Sequence, residues 1–142
     1  MGRNRIYNLY FSYGWNYRNT LDEVLEHLQA RKGFSLLPYH FPYQDRNDGI
    51  GETELYRMVR DKIKHSDAVL LLCGLYSDPT YNRWIRKEII SATGEYDKPL
   101  IAVHRYPELK ISPIVRQSAD IIVEWDGKQD LLADTIRRIA RR

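Results

Sequence analysis

Cysteine is nearly absent from this chain. The single one, Cys73, lies in the apolar run AVLLLCG, and there is no CxxC pair. That excludes a disulfide framework and a zinc ribbon, and a reducing, cytoplasmic setting is the simplest expectation. No apolar run is long enough to span a bilayer. The opening MGRNRIYNLYFSYG lacks a continuous apolar h-region, so no secretory signal is expected. Ile6 stands where a myristoylation signal wants Ser or Thr. The four histidines are scattered with no HxH or HxxxH pair, so no metal is expected. A P-loop is missing, and so is the GxGxxG fingerprint: GIG at 49–51 has no third glycine. DRNDGIGETELY fails as an EF-hand loop, because Gly49 comes one position early and Tyr56 replaces the bidentate Glu. Strong charge of one sign is also lacking. The net charge is +3, and much of the excess sits in the terminal RRIARR, where cations complement a helix dipole. The eleven tyrosines are spread along the chain without an RNP-type motif, so no specific nucleic-acid partner is expected.

What is present is an alternation of strand and helix patterns. The 142 residues, 43% of them hydrophobic, suffice for one core, and residues 1–142 are read as a single domain. The expected strands are 5–12, 34–39, 67–74, 99–105 and 120–125. The expected helices are 21–31, 52–65, 82–96 and 128–141, with one short helical turn inside 106–119. Thr20 and Glu23 suit a capping box for the first helix, and Gly33 suits its end. In the last helix Leu131, Leu132, Ile136 and Ile139 are expected to face inward.

Five strands alternating with helices imply a parallel sheet in a three-layer α/β sandwich. The flavodoxin-like order 2-1-3-4-5 puts Pro38 on an edge, where a residue without an N–H is tolerated, and the all-apolar third strand at the centre. Ligands then bind beyond the carboxyl ends of strands 1 and 3. Those ends are FSYGW (11–15) and GLYSD (74–78). A phospho-accepting receiver would need acidic residues there, and Phe11, Ser12, Cys73 and Gly74 stand in their place.

The stretch SDPTYNRWIRKEI, residues 77–89, leaves that crevice and enters a helix. Ile85, Ile89, Ala92 and Tyr96 make its core stripe, with Trp84, Glu88 and Ser91 on the flank. A carboxylate beside an aromatic wall can stabilise a cationic sugar transition state or hold ribose hydroxyls. The alternative is an exposed Glu88 paired with Arg83 or Lys87.

Taken together, these features resemble the TIR (Toll/interleukin-1 receptor) superfamily, in particular the TIR-like subunit of bacterial Thoeris antiphage defence. The resemblance rests on Phe11-Ser12-Tyr13 ending strand 1, the loop near Asp45, and Ser66-Asp67 before strand 3. It rests further on Ser77, Trp84 and Glu88 in the pattern S-x6-W-x3-E, Pro99 opening strand 4, and Trp125-Asp126 closing strand 5. It implies NAD as substrate, with no bound cofactor, and Glu88 as the catalytic residue that breaks the nicotinamide–ribose bond. It implies a linear or cyclic ADP-ribose product that reaches an effector protein by diffusion, with a phage-derived activator and self-assembly as further features. Tyr10, Phe11, Ser12, Asp45, Ser77, Asn82 and Trp84 become candidate substrate contacts. Phe11, Asp45 and Asn82 also have plainer readings: core packing, turn chemistry and helix capping respectively. Two departures stand out. Ile85 replaces the frequent Cys after the tryptophan, and residues 44–51 lack the receptor-type Arg-Asp-x-x-Pro-Gly motif. A non-catalytic interaction or sensing module and a nucleoside deoxyribosyltransferase-like N-ribosyl enzyme are the competing readings.

Overall fold

The structure is a computed structural model, and it describes residues 5–12, 18–40, 52–72, 86–127 and 131–140. Five strands form one parallel sheet: β1 (Ile6–Ser12), β2 (Ser35–His40), β3 (Ala68–Leu72), β4 (Leu100–His104) and β5 (Ile121–Glu124). Their order is β2-β1-β3-β4-β5, as the sequence pattern predicts. Around them lie α1 (Arg18–Ala30), α2 (Glu52–Lys64), a π-helix (Ile90–Glu95), α3 (Pro113–Ser118) and α4 (Leu132–Ile139).

The period-2 alternation of the strands divides the core into two layers. On one face Leu9, Phe11, Leu70, Leu72, Ile101 and Val103 pack with Leu21, Val24 and Leu28 of α1 and Leu132 and Ile136 of α4. On the other, Tyr10, Val69, Leu71 and Ala102 pack with Leu55, Val59 and Ile63 of α2, and with Ile89, Ala92 and Val115. β3 and β4 are buried at every position, as strands covered on both faces must be. β2 is an edge, and Pro38 is paired in register with Leu9 there.

Two aspartates close the sheet where strands begin. Asp67 accepts the Asn8 N–H at 2.8 Å while its own N–H donates to Asn8 O at 2.6 Å. Asp120 makes the same pair of contacts with Leu100, at 2.7 and 2.8 Å. Each satisfies a backbone donor that the ladder leaves over.

Several expectations need correction. Helix α1 starts at Arg18, so Thr20 and Glu23 lie inside it rather than forming a capping box. Thr20 is fully buried and its hydroxyl meets Tyr106 Oη at 2.8 Å. Glu23 binds Arg105 through both oxygens, at 3.0 and 3.2 Å. Those hydrogen bonds, ahead of the carboxylate's charge, hold the Arg105 guanidinium above its ordinary range. The short turn expected within 106–119 is the helix α3, with Pro113 in the first turn where its missing N–H costs nothing. Leu131 precedes α4 and is half-exposed rather than inward. Gly33 takes φ +80° after α1, a left-handed turn conformation that suits glycine. Among the described residues, no helix is long and apolar enough to cross a membrane.

Candidate functional site

The site is built from β1 and from the helix that carries Glu88. Tyr10 and Ser12 are two residues apart on β1, so both side chains leave the same face of the sheet. It is the α2 face, on which Ile89 and Ala92 also pack. Glu88 lies in a helical turn at 86–89 that precedes the π-helix. Its side chain turns toward the sheet and is buried at 4% exposure, so it is not a flanking surface carboxylate. Among the described residues it is the only acidic residue in the buried class.

Burial of a carboxylate requires donors, and β1 supplies them. Tyr10 Oη donates to Glu88 Oε2 at 2.5 Å, and Ser12 Oγ donates to Glu88 Oε1 at 2.5 Å. These are short O–H···O bonds of the charge-assisted kind. They fix the carboxylate from two sides at the carboxyl end of the strand next to β3, where Ser12 is in register with Leu71. This is the end of the sheet at which the strand order leads a ligand to be expected.

The helix downstream is irregular. The Tyr96 N–H reaches back to Ser91 O at 3.0 Å, a five-residue step that defines a π-turn. Thr93 Oγ1 donates to Ile89 O at 2.9 Å, a back-bond of the kind that bends helices. Asp97 follows with φ +51°, and the Lys98 N–H donates to Ala92 O at 2.6 Å before β4 begins.

Of the sequence-predicted residues, Tyr10, Ser12 and Glu88 come together. Phe11 does not. It projects from the opposite face of β1, is 1% exposed, and packs with Leu21, Leu28 and Val103. Alternation along the strand forces this, since neighbours of Tyr10 and Ser12 must face away. Phe11 is thus a core residue and makes no contact with the Glu88 side of the sheet. Asp45, Ser77, Asn82 and Trp84 lie outside the described residues. Tyr10 and Ser12 both hydrogen-bond the protein's own carboxylate, Glu88. Trp125 is 2% exposed and meets His27 edge-on at 5.2 Å, so it belongs to the core. Among the described residues, no three His, Cys, Asp or Glu side chains gather in a way that could hold a metal ion.

A second group was not legible in the sequence. Tyr56 and Arg60 of α2 meet Ser91 and Glu95 of the π-helix through hydrogen bonds of 3.1 Å or less. Each pair is 35 residues apart, so no local spacing could reveal it.

No curated protein matches the chain. Among solved structures, the Clostridium botulinum CMP N-glycosidase BcmB aligns with a TM-score of 0.49 at 12% identity, covering 84% of this chain and 88% of that one. A prokaryotic SEFIR domain aligns with a TM-score of 0.49 at 14% identity, covering 95% and 96%. The family model described as "Thoeris protein ThsB, TIR-like domain" matches residues 10–108, a span that includes Tyr10, Ser12 and Glu88. This chain belongs to the ThsB family of Thoeris proteins and carries its TIR-like domain.

Proposed function

We propose that this protein cleaves the nicotinamide–ribose bond of NAD, with Glu88 as the catalytic carboxylate. The observation that carries the reading is the buried Glu88 carboxylate held by two hydroxyls of β1. Each carboxylate oxygen can accept more than one hydrogen bond, and the role proposed for Glu88 is to accept from the two hydroxyls of the ribose. As the bond to nicotinamide lengthens, positive charge develops on the ribose ring, and a fixed anion beside it lowers the barrier.

One fixed carboxylate is enough for this substrate. In NAD the leaving group is a cationic pyridinium. It departs with the bonding electron pair as neutral nicotinamide and needs no proton. A free nucleoside expels an anionic base and calls for a general acid as well. Attack by water at the ribosyl cation, with loss of a proton, gives ADP-ribose. Attack by an internal hydroxyl or an adenine nitrogen gives a cyclic isomer. The product acts as a diffusible signal to an effector of the same defence system, and a phage-derived factor switches the enzyme on. Asp45, Ser77, Asn82 and Trp84 complete the substrate contacts. Tyr10 and Ser12 orient Glu88.

The test is an incubation of purified protein with NAD, or with adenosine and cytidine, in the presence and absence of extract from phage-infected cells. Chromatography and mass spectrometry identify the products. Nicotinamide and an ADP-ribose species from NAD, with nucleosides untouched, are expected. Nucleoside cleavage with NAD untouched would point to an N-ribosyl enzyme of the deoxyribosyltransferase kind. A folded protein inert in every condition would point to a binding module.

A further inference from the structure

We infer that the Tyr56–Ser91–Glu95–Arg60 chain is a positioning device that sets the placement of Glu88 through the π-helix. The inference rests on Glu88 being the reactive carboxylate, as proposed above.

The four side chains form one directional path. Ser91 Oγ donates to Glu95 Oε1 at 2.9 Å. Its oxygen is therefore the acceptor for the Tyr56 hydroxyl, 3.1 Å away. Glu95 accepts two further bonds from Arg60, Nε at 3.1 Å and Nη2 at 2.7 Å. This two-point fork is the geometry in which a guanidinium and a carboxylate fix each other's orientation. These hydrogen bonds, ahead of the charge of Glu95, hold Arg60 above its ordinary range. Two cations lie near the Tyr56 ring, with Lys87 Nζ 4.9 Å and Arg60 Cζ 5.6 Å from its centre.

The location gives the chain its purpose. Ser91 is fully buried, three residues beyond Glu88, and Lys87 adjoins Glu88 in sequence. The π-turn begins between them, at Ile90. A π-turn holds one more residue than an α-turn, so its presence rotates everything before it relative to everything after it. Were the segment to relax to α-helix, Glu88 would swing by roughly one residue's turn, about 100°, relative to the anchor at Tyr96. Pi-turns are rare because they are unfavourable on their own. Here both ends of the turn are tied to α2, through Ser91 at the start and Glu95 at the end. α2 in turn is seated on the sheet by Leu55, Val59 and Ile63. Tyr10 and Ser12 hold the carboxylate from the strand side, and the α2 clamp holds the backbone that carries it.

The experiment compares Ser91→Ala and Arg60→Ala with Arg57→Ala, which breaks only the neighbouring surface pair with Glu54. Two readouts are taken: kcat and KM for nicotinamide release, and the side-chain carboxyl 13C resonance of Glu88, assigned with Glu88→Gln. The expected result is a fall in kcat of about tenfold or more with KM nearly unchanged, as misplacement of a reacting group produces. The Glu88 resonance moves in Ser91→Ala and Arg60→Ala but not in Arg57→Ala. Arg60→Lys, which keeps the charge without the fork, recovers part of the rate. The double variant is no worse than the poorer single one, since the two residues act through one path. A Glu88 resonance unmoved in both variants overturns the inference. Arg60 is at the surface, so its variants keep the test valid if Ser91→Ala fails to fold. If the wild type releases no nicotinamide, the enzymatic reading fails, while the Glu88 resonance still decides whether the clamp positions that residue.

Discussion

Tyr10 Oη stands 2.5 Å from Glu88 Oε2, a bond that ties the strand next to β3 to a helix 78 positions later in the chain. Ser12 makes the matching bond to the other oxygen. Both donors serve stability, because a buried carboxylate left short of a donor bears its desolvation cost uncompensated. Tyr10→Phe and Ser12→Ala should each lower stability by about 1.5 to 3 kcal/mol in urea denaturation. Each should also slow nicotinamide release by about tenfold or more. Full activity in both variants would show that the carboxylate needs no support from β1.

Glu88→Gln should behave in the opposite way toward stability. The amide has nearly the same shape and carries no charge to desolvate. One of the Tyr10 and Ser12 hydroxyls keeps donating to the amide oxygen, and the other turns to accept from the NH2 group. Its thermal midpoint should equal or exceed that of the wild type, as happens when a strained functional group is neutralised. A scanning calorimetry trace with a clearly lower midpoint would mean that Glu88 is there for the fold.

Phe11 separates packing from chemistry at a position between the two donors. It is 1% exposed among the residues of α1 and the neighbouring strands. Phe11→Ala should cost about 3 to 5 kcal/mol. The milder Phe11→Leu should keep full activity per folded molecule. A loss of turnover in Phe11→Leu without loss of stability would return this ring to the substrate side.

The aspartates at the strand starts should be purely structural. Asp67→Ala and Asp120→Ala each leave a backbone N–H without its carboxylate, of Asn8 and Leu100 respectively. About 1 to 3 kcal/mol of stability should be lost in each case. Measured on the folded fraction, NAD turnover should be unchanged.

The sheet order was readable because each of its signals is local. Pro38 marked the edge, the unbroken apolar run at 67–74 marked the centre, and the alternation of strand and helix fixed the parallel class. Glu88 was readable as a candidate from its helix and its crevice. Its burial was not, because the donors that permit burial sit on a strand far away in the sequence. The same alternation that brought Tyr10 and Ser12 to Glu88 removed Phe11 from it, and strict use of the period of two would have separated them in advance. The π-turn escaped because Thr93-Gly94 reads equally well as the fraying end of an ordinary helix. The capping box failed for a similar reason. Thr20 and Glu23 have the right spacing, but their hydrogen bonds go to Tyr106 and Arg105, more than 80 residues away.

The measurement that bears most directly on the central claim is nicotinamide release from NAD by wild type and Glu88→Gln, at equal folded concentration and in the presence of phage-infected extract. The account predicts steady release by the wild type and a loss of at least about a hundredfold in the variant, the scale of removing a group that stabilises the charge of a transition state. Equal release by the two proteins would contradict it, and would assign the chemistry to a residue other than Glu88.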